Sequence, residues 1–359
     1  GFWSKFTIGG KSMKNKMMKI GKKIFSQREV TVFLIIVLVV IITSIIQPKF
    51  LNPNNMRSVA LSVSVDGLFA IGLTLALILG GIELSVGSVA AMTCVITGYL
   101  ALQGIDIWVA CAASIISGLI VGLFNGFMIS KIGLPPFIVT LGMENLARGM
   151  AYIITTGSPL SVSGYLPNSF RYFATGSIFG IPILFVIFIA ISTIAFIFLK
   201  YSKACRNIYY VGSNENAAKL SGINVDKVKI GVYVTIALIS TLAGILSLAR
   251  FNVATPELSK GAETTAISAA VIGGTTMTGG SGGVLGTVMG IFLLKIVNSA
   301  LVMMNVSVYW QDFVQGAILV LAVTIDYLSH RRSGRPSLLM KFFGLDKLAA
   351  ARSKNKTNS

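Results

Sequence analysis

Apolar runs long enough to cross a bilayer recur along the chain, separated by short stretches of Gly, Pro, Asn and charge. The clear ones are Val30–Ile46, Val59–Leu79, Val86–Leu102, Trp108–Ile129, Pro136–Thr155, Ile181–Leu199, Ile230–Leu248, Val284–Met304 and Val308–Leu328. A transmembrane helix needs roughly 20 predominantly apolar residues to cross a hydrocarbon core of about 30 Å. Val59 to Leu102 as one helix would be about 66 Å long, so the chain must turn within it, and Gly80 and Gly81 are the natural break. A weaker, small-residue-rich segment, Ala262 to Thr278, ends in GGTTMTGGSGG. The pattern predicts an all-α polytopic membrane protein with about ten segments, some of them interrupted.

Composition agrees. Of 359 residues 54% are hydrophobic and 12% charged, far from the mixture of a soluble domain. The net charge of +18 does not form a nucleic-acid patch, because the basic residues gather before Val30, between Lys200 and Lys229, and after Arg331. Clusters that flank apolar spans report topology through the positive-inside bias. Placing all three in the cytoplasm requires an even number of crossings before and after the central loop, which counts the weak segment as the tenth crossing. The expected organisation is a basic cytoplasmic segment 1–29, a transmembrane domain 30–329 with a cytoplasmic loop 200–229, and a basic cytoplasmic tail 330–359. No small-residue cleavage site follows Val30–Ile46, so it reads as a retained first span rather than a signal peptide.

Catalytic chemistry has little material. His330 is the only histidine, and Cys94, Cys111 and Cys205 lack metal-ligand spacing, so no catalytic or metal residues are assigned. GGKS at Gly9–Ser12 lacks the leading glycine and preceding strand of a phosphate loop, so any nucleotide chemistry belongs to a partner.

Polar residues inside the apolar pattern are the better candidates. In GGIELSVGS (Gly80–Ser88), Glu83 is an ionisable group where lipid exposure is costly, and non-helical backbone at that depth must be satisfied by protein or water. The run reads either as the lining of a polar pathway or as a cytoplasmic turn with Glu83 in water. Gly273, Gly274, Thr275 and Thr276 open a second glycine cluster, and interrupted segments in both halves of a chain point to a translocation site between repeats. Gly118, Gly122 and Gly126, and Gly286 and Gly290, recur at four-residue spacing and predict close helix packing. Glu144 and Arg148, four apart, are expected to pair, with Arg148 a further pathway candidate. Asp66 and Lys295 lie deep in spans and need partners that the sequence does not name.

In the central loop, VGSNENAAKLSGINVDKVK (Val211–Lys229) starts on capping residues Ser213 and Asn214, runs through Ala217, Ala218 and Leu220, and stops at Gly222. This predicts a short helix with a small-residue face, suited to a groove on another protein or simply solvated.

Four stretches in order, GGIELSVGS, PPFIVTLGMENLARGMAYIITTGSPL (Pro135–Leu160), the central-loop motif and AAVIGGTTMTGGSGGVLGTVMG (Ala269–Gly290), together with VSVYWQDFVQGAILVLAVTID (Val306–Asp326), resemble the permease subunits of bacterial ribose-, xylose- and galactose-type ABC importers. The resemblance implies a type II importer-like permease of the bacterial cytoplasmic membrane that pairs with a second permease subunit and receives a monosaccharide from an extracytoplasmic binding protein. It also implies docking on cytoplasmic ATPases that carry the ATP and Mg, leaving no cofactor in this chain. By the same resemblance Asn214, Glu215, Ala217, Ala218, Lys219, Leu220, Ser221, Gly222, Ile223 and Asn224 correspond to the coupling helix. The pathway candidates are Gly80, Gly81, Glu83, Ser85, Ser88, Asn125, Thr140, Arg148, Gly273, Gly274, Thr275 and Thr276, whose polar members suit a neutral polyol. Members commonly carry aspartate where this chain has Glu83, and many have an acidic residue where it has Thr265, with Glu263 two positions earlier. The particular sugar therefore stays open, and an ion-coupled secondary transporter, with Glu83 and Asp66 as ion ligands, is the alternative reading. The first 25 residues lie outside the resemblance, and Met13 is a candidate initiator.

Overall fold

The computed structural model describes residues 28–331, with side chains described from Val30 to Thr324. The expectations for the N-terminal segment and for the tail beyond Arg331 lie outside the described residues.

Every predicted segment is occupied by a helix. These are α1 (Arg28–Ile46), α2 (Pro53–Leu79), α3 (Val86–Leu102), α4 (Ile107–Phe127, continued by a π turn to Ile132) and α5 (Pro136–Thr155). After a short α6 (Asn168–Thr175) come α7 (Ile183–Tyr201), α8 (Lys203–Ser213), α9 (Glu215–Leu220), α10 (Val225–Phe251), α11 (Ala262–Ile272), α12 (Val284–Met303) and α13 (Val308–Arg331). Five of them, α2, α4 with its π turn, α7, α10 and α12, are long and apolar enough to span a membrane by length and composition.

Local signals set the boundaries. α2 starts earlier than hydropathy suggests because Pro53 sits at its first position and Asn52 Oδ1 accepts from Asn54 N at 3.0 Å. α10 likewise reaches back to Val225, where Asn224 Oδ1 accepts from Lys227 N at 3.0 Å. The predicted tenth span is a correction. Helix persists only from Ala262 to Ile272, 11 residues, and then yields to the glycine-rich loop. At 1.5 Å per residue that is about half a bilayer core. The rest of the crossing is irregular chain packed inside protein, which is where a membrane tolerates it.

Two 27-residue helices, α2 and α10, form the centre. Their apolar windows are 83% and 72% buried, against 28% for α7, so the sides of α2 and α10 face protein rather than lipid. The packing repeats: α2 lies against α11 and α12, while α10 lies against α3 and α4; α5 packs on α3 as α13 packs on α11. Each half therefore supplies a long helix, a break and a shorter helix, and the halves interlock. The glycine stripes make the interlock close. Gly122 and Gly126 of α4 face Val234 and Ile230 of α10, and Gly286 and Gly290 of α12 lie on the backbone of Gly273 and Ala269. Thr74 and Thr287 hydroxyls, 2.6 Å apart, join α2 to α12. On another face β1 (Leu160–Ser161) pairs antiparallel with β2 (Val253–Ala254), tying the loop after α5 to the loop after α10.

A Cβ on Gly122 would sit 2.6 Å from Val234 Cα, so Gly122→Leu must push α4 off α10. We expect a loss of about 1–3 kcal/mol, the usual cost of overpacking. It is read as a lower thermal midpoint of the detergent-purified protein, whereas Gly231→Ala, with nothing within 4 Å, leaves the midpoint unchanged or higher.

Candidate functional site at the helix breaks

The break after α2 begins at Gly80, whose φ of 81° is the left-handed conformation that ends a helix. The chain then runs through Gly81–Leu84 without helix and re-forms it at Val86. Glu83 is 2% exposed. Its carboxylate accepts from Ser85 N at 2.7 Å, Ser85 Oγ at 2.5 Å and Asn125 Nδ2 of α4 at 3.2 Å. Thr140 of α5 donates to the Ile82 carbonyl at 3.3 Å, and Ser88 donates to the Ser85 carbonyl at 2.9 Å. Glu83 is thus neither a solvated turn residue nor an open ligand; its carboxylate organises the break and ties it to α4. Among the described residues, Tyr233 Oη, Asn125 Oδ1 and Thr275 Oγ1 are buried without a hydrogen-bond partner.

A second break lies between α10 and α11. Arg148 Nη1 donates to the carbonyls of Pro256 at 2.6 Å and Leu258 at 2.8 Å. The expected Glu144–Arg148 pair is therefore corrected. Two carbonyls freed from regular structure take the guanidinium, because irregular backbone at this depth needs a donor. Tyr152 of the same helix pairs with Glu257. At the start of α3, Gly87 lies against the Ser259 carbonyl and the side chain of Glu263, so the N-termini of α3 and α11 meet. Asp66 of α2 and Lys295 of α12 prove to be each other's partners.

The glycine loop after α11 carries the third set of contacts. Gly280 N donates to the Ile78 carbonyl at the end of α2 at 2.8 Å. A Cβ on Gly279 would lie 2.7 Å from the Gly212 carbonyl and 3.0 Å from Gly80 Cα. Gly212, in α8, rests on the Ile78 carbonyl, and Tyr209 of α8 donates to the Gly282 carbonyl at 3.0 Å. Thr276 N and the Ser281 carbonyl close the loop at 3.1 Å. Backbone from α2, α8 and the glycine loop therefore converges where side chains would not fit. Gly212, Tyr209 and Tyr233 were not among the sequence candidates; the signal for Gly212 was a glycine interrupting the helical pattern IYYVGS.

α8 leads directly into the loop helix α9. Asn214 Oδ1 accepts from Ala217 N at 3.0 Å, and Gly222, φ 80°, ends the turn, as the capping pattern predicts. Glu215 pairs with Lys219 at 3.0 Å and with Lys229 of α10 at 2.8 Å. The Lys229 hydrogen bond, with Lys219 adding to it, holds the Glu215 carboxyl below the ordinary carboxylate range. The pairing is intact at neutral pH and is lost only as pH falls through that depressed value. The small-residue docking face needs correction. Ala218 is 3% exposed and packs into the chain's own core, whereas Leu220 is 91% exposed and points outward beside Lys219 and Ser221.

A bundle of membrane helices with one buried and one partly exposed break, joined by backbone contacts to an outward-facing loop helix, is the arrangement of a transport subunit driven from outside the chain. Residues 55–323 match the family described as branched-chain amino acid transport system / permease component, and the chain belongs to that family. It is 37% identical over 300 residues to the ribose import permease of Escherichia coli (strain K12), covering 82% of this chain and 92% of that protein. It is 32% identical over 324 residues to the D-allose transport system permease of the same organism (90% and 98%). To the L-arabinose ABC transporter permease of Azospirillum brasilense it is 33% identical over 298 residues (82% and 86%). No solved structure matches the chain. The ribose-type resemblance is confirmed: this is a multi-pass permease subunit of an ABC importer, and ATP hydrolysis belongs to a separate partner.

Glu83→Leu strips the acceptor from Ser85 and from the Asn125 amide, and each buried donor left unpaired costs about 1–3 kcal/mol. The expected result is a lower thermal midpoint, with Glu83→Gln, which keeps an acceptor oxygen, falling between Leu and the parent. Equal midpoints for all three would show that the carboxylate does not hold the break.

Proposed function

We propose that the chain imports a monosaccharide, moving it by alternating access as ATP is bound and hydrolysed on the partner. The similarity to permeases named for ribose, D-allose and L-arabinose over more than four-fifths of the chain carries this reading. The partners are a second permease subunit, identical or closely related, a cytoplasmic ABC ATPase and an extracytoplasmic sugar-binding protein. Both termini and the central loop lie in the cytoplasm.

The chain's part in the cycle follows from its contacts. α9 sits in a cleft of the ATPase with Leu220 as the apolar anchor and Lys219 and Ser221 beside it. When the ATPase moves, α9 carries α8, and Gly212 bears on the Ile78 carbonyl while Tyr209 pulls on Gly282. Displacement thus reaches the end of α2 and the glycine loop together. From there it reaches the two breaks at α3 and α11. The first break moves with α4 and α5 through Asn125 and Thr140, and the second moves with α5 through Arg148. The sugar need not be gripped tightly, because selectivity resides in the binding protein.

Uptake of radiolabelled ribose, allose and arabinose into proteoliposomes holding permease, ATPase and binding protein tests the reading. Uptake of at least one, strictly dependent on ATP, is expected; uptake by the permease alone under an ion gradient would contradict it. For docking, Leu220→Asp puts a charge on the apolar anchor and is expected to lower ATPase co-purification about tenfold or more, as hot-spot losses do. A bulky change at exposed Thr175 leaves it unchanged. Single cysteines at Thr175 and Ser221, in a background without the native cysteines, are expected to react with an impermeant thiol reagent from opposite sides.

A further inference from the structure

A cavity of about 580 Å³ lies between α2, the start of α11, α12 and α13, away from the Glu83 break. Its volume falls within the range of about 300–1,000 Å³ typical of small-molecule sites. The lining includes Asp66, Lys260, Thr265, Lys295, Asp312, Gln315 and Gly316, with Lys260 paired to Glu257 at 3.2 Å. Asp66 and Lys295 sit in the middle of spanning helices and pair with each other, their side chains still 21% and 14% exposed. An ion pair at such depth is stable only beside water or polar groups, so the cavity is a polar cleft that reaches from Asp66 and Lys295 to the surface of the chain, where Lys260, Asp312 and Gly316 are exposed. Gln315 of α13 pairs with Thr265 of α11 across it.

Asp312 and Gly316 are one helical turn apart on α13 and face the same space. Among the described residues no cation pairs with Asp312, which leaves its carboxylate oxygens as acceptors. With Lys295 and the Gln315 amide as donors, the wall offers the mixed acceptors and donors that hydroxyl groups satisfy. Along the wall the carboxylates of Asp66 and Asp312 are balanced by the ammonium groups of Lys260 and Lys295, which suits a neutral solute over an ion. Gly316 has a different significance from the packing glycines: a Cβ there would meet nothing within 4 Å. A helical glycine costs about 1 kcal/mol relative to alanine, and here no contact within the chain demands it. What it provides is clearance.

We propose that this cleft is a transit site for a neutral polyol, with Asp312 accepting solute hydroxyls and Gly316 keeping the passage open. The inference rests on the monosaccharide reading above and names the site where the solute passes.

The test uses the assembled importer in proteoliposomes with D-ribose, D-allose and L-arabinose as probes. Gly316→Trp fills the cleft and, by blocking passage, is expected to cut the initial uptake rate at least about tenfold. Asp312→Asn, which preserves shape, is expected to cut it about tenfold by the same measure. Co-purification with the ATPase verifies assembly, and Ile120→Trp, on the exposed face of α4, is the bulk control. Parent-like uptake in both variants overturns the transit site while leaving the importer reading intact. If Gly316→Trp does not assemble, the isosteric Asp312→Asn decides, and parent-like uptake there overturns the proposal. A parent importer that hydrolyses ATP but takes up none of the three sugars overturns the monosaccharide reading and this substrate class with it.

Discussion

The structure depends on a backbone contact that only glycine permits. Gly212 of α8 lies on the Ile78 carbonyl, Gly280 donates to that same carbonyl at 2.8 Å, and Gly279 nests against Gly80. Three segments far apart in sequence meet there without side chains between them. Packed interiors are not continuously deformable, so contacts of this kind transmit displacement rather than absorb it. A loop helix attached through longer, flexible side chains would move without consequence for the bundle. Here α9 continues from α8, whose glycine lies directly on the end of a central helix.

The breaks are the other half of the arrangement. A continuous apolar helix in lipid has no polar group to offer a solute, whereas a broken one exposes carbonyls and amides that must be satisfied inside protein. In this chain those groups are held by single polar side chains from neighbouring helices: Glu83 with Asn125, Thr140 on Ile82, and Arg148 on Pro256 and Leu258. Few contacts fix each break: the Glu83–Asn125 contact is buried, and those of Thr140 and Arg148 are partly buried. The meeting of the α3 and α11 N-termini at Gly87 and Glu263 places both breaks in one region, so a shift at one is felt at the other.

Much of this was legible in the sequence. Hydropathy located every long apolar helix because burial in lipid or in protein demands the same apolar residues, but it missed the short, polar α6 and α8. The α9 cap was readable because Asn214 and Gly222 serve local geometry that no tertiary contact overrides. Four-residue glycine spacing foretold the α4–α10 and α11–α12 contacts. Other features depended on contacts distant in sequence. Glu144 and Arg148 have helical spacing for a pair, but carbonyls more than a hundred positions away compete and win. Ala218 belongs to a small-residue face by composition, yet the way α9 folds back on α8 turns it inward. The weak segment holding the half-length α11 was counted as a crossing from the parity of the basic clusters, which reports how often the chain crosses but not how much of a crossing is helical. The pairing of Asp66 with Lys295 joins residues from opposite halves of the chain, which spacing along the sequence cannot reveal.

The central claim is that motion of the loop helix reaches the breaks through the glycine contact. Gly212→Val places a branched side chain against the Ile78 carbonyl and near Gly280 N, away from the exposed Leu220 proposed to meet the ATPase. The measurement is sugar taken up per ATP hydrolysed by the reconstituted importer. The account predicts that the variant still binds the ATPase and still hydrolyses ATP, while uptake per ATP falls by at least about tenfold, a change of roughly 1.4 kcal/mol in coupling. Uptake per ATP equal to that of the parent would contradict it.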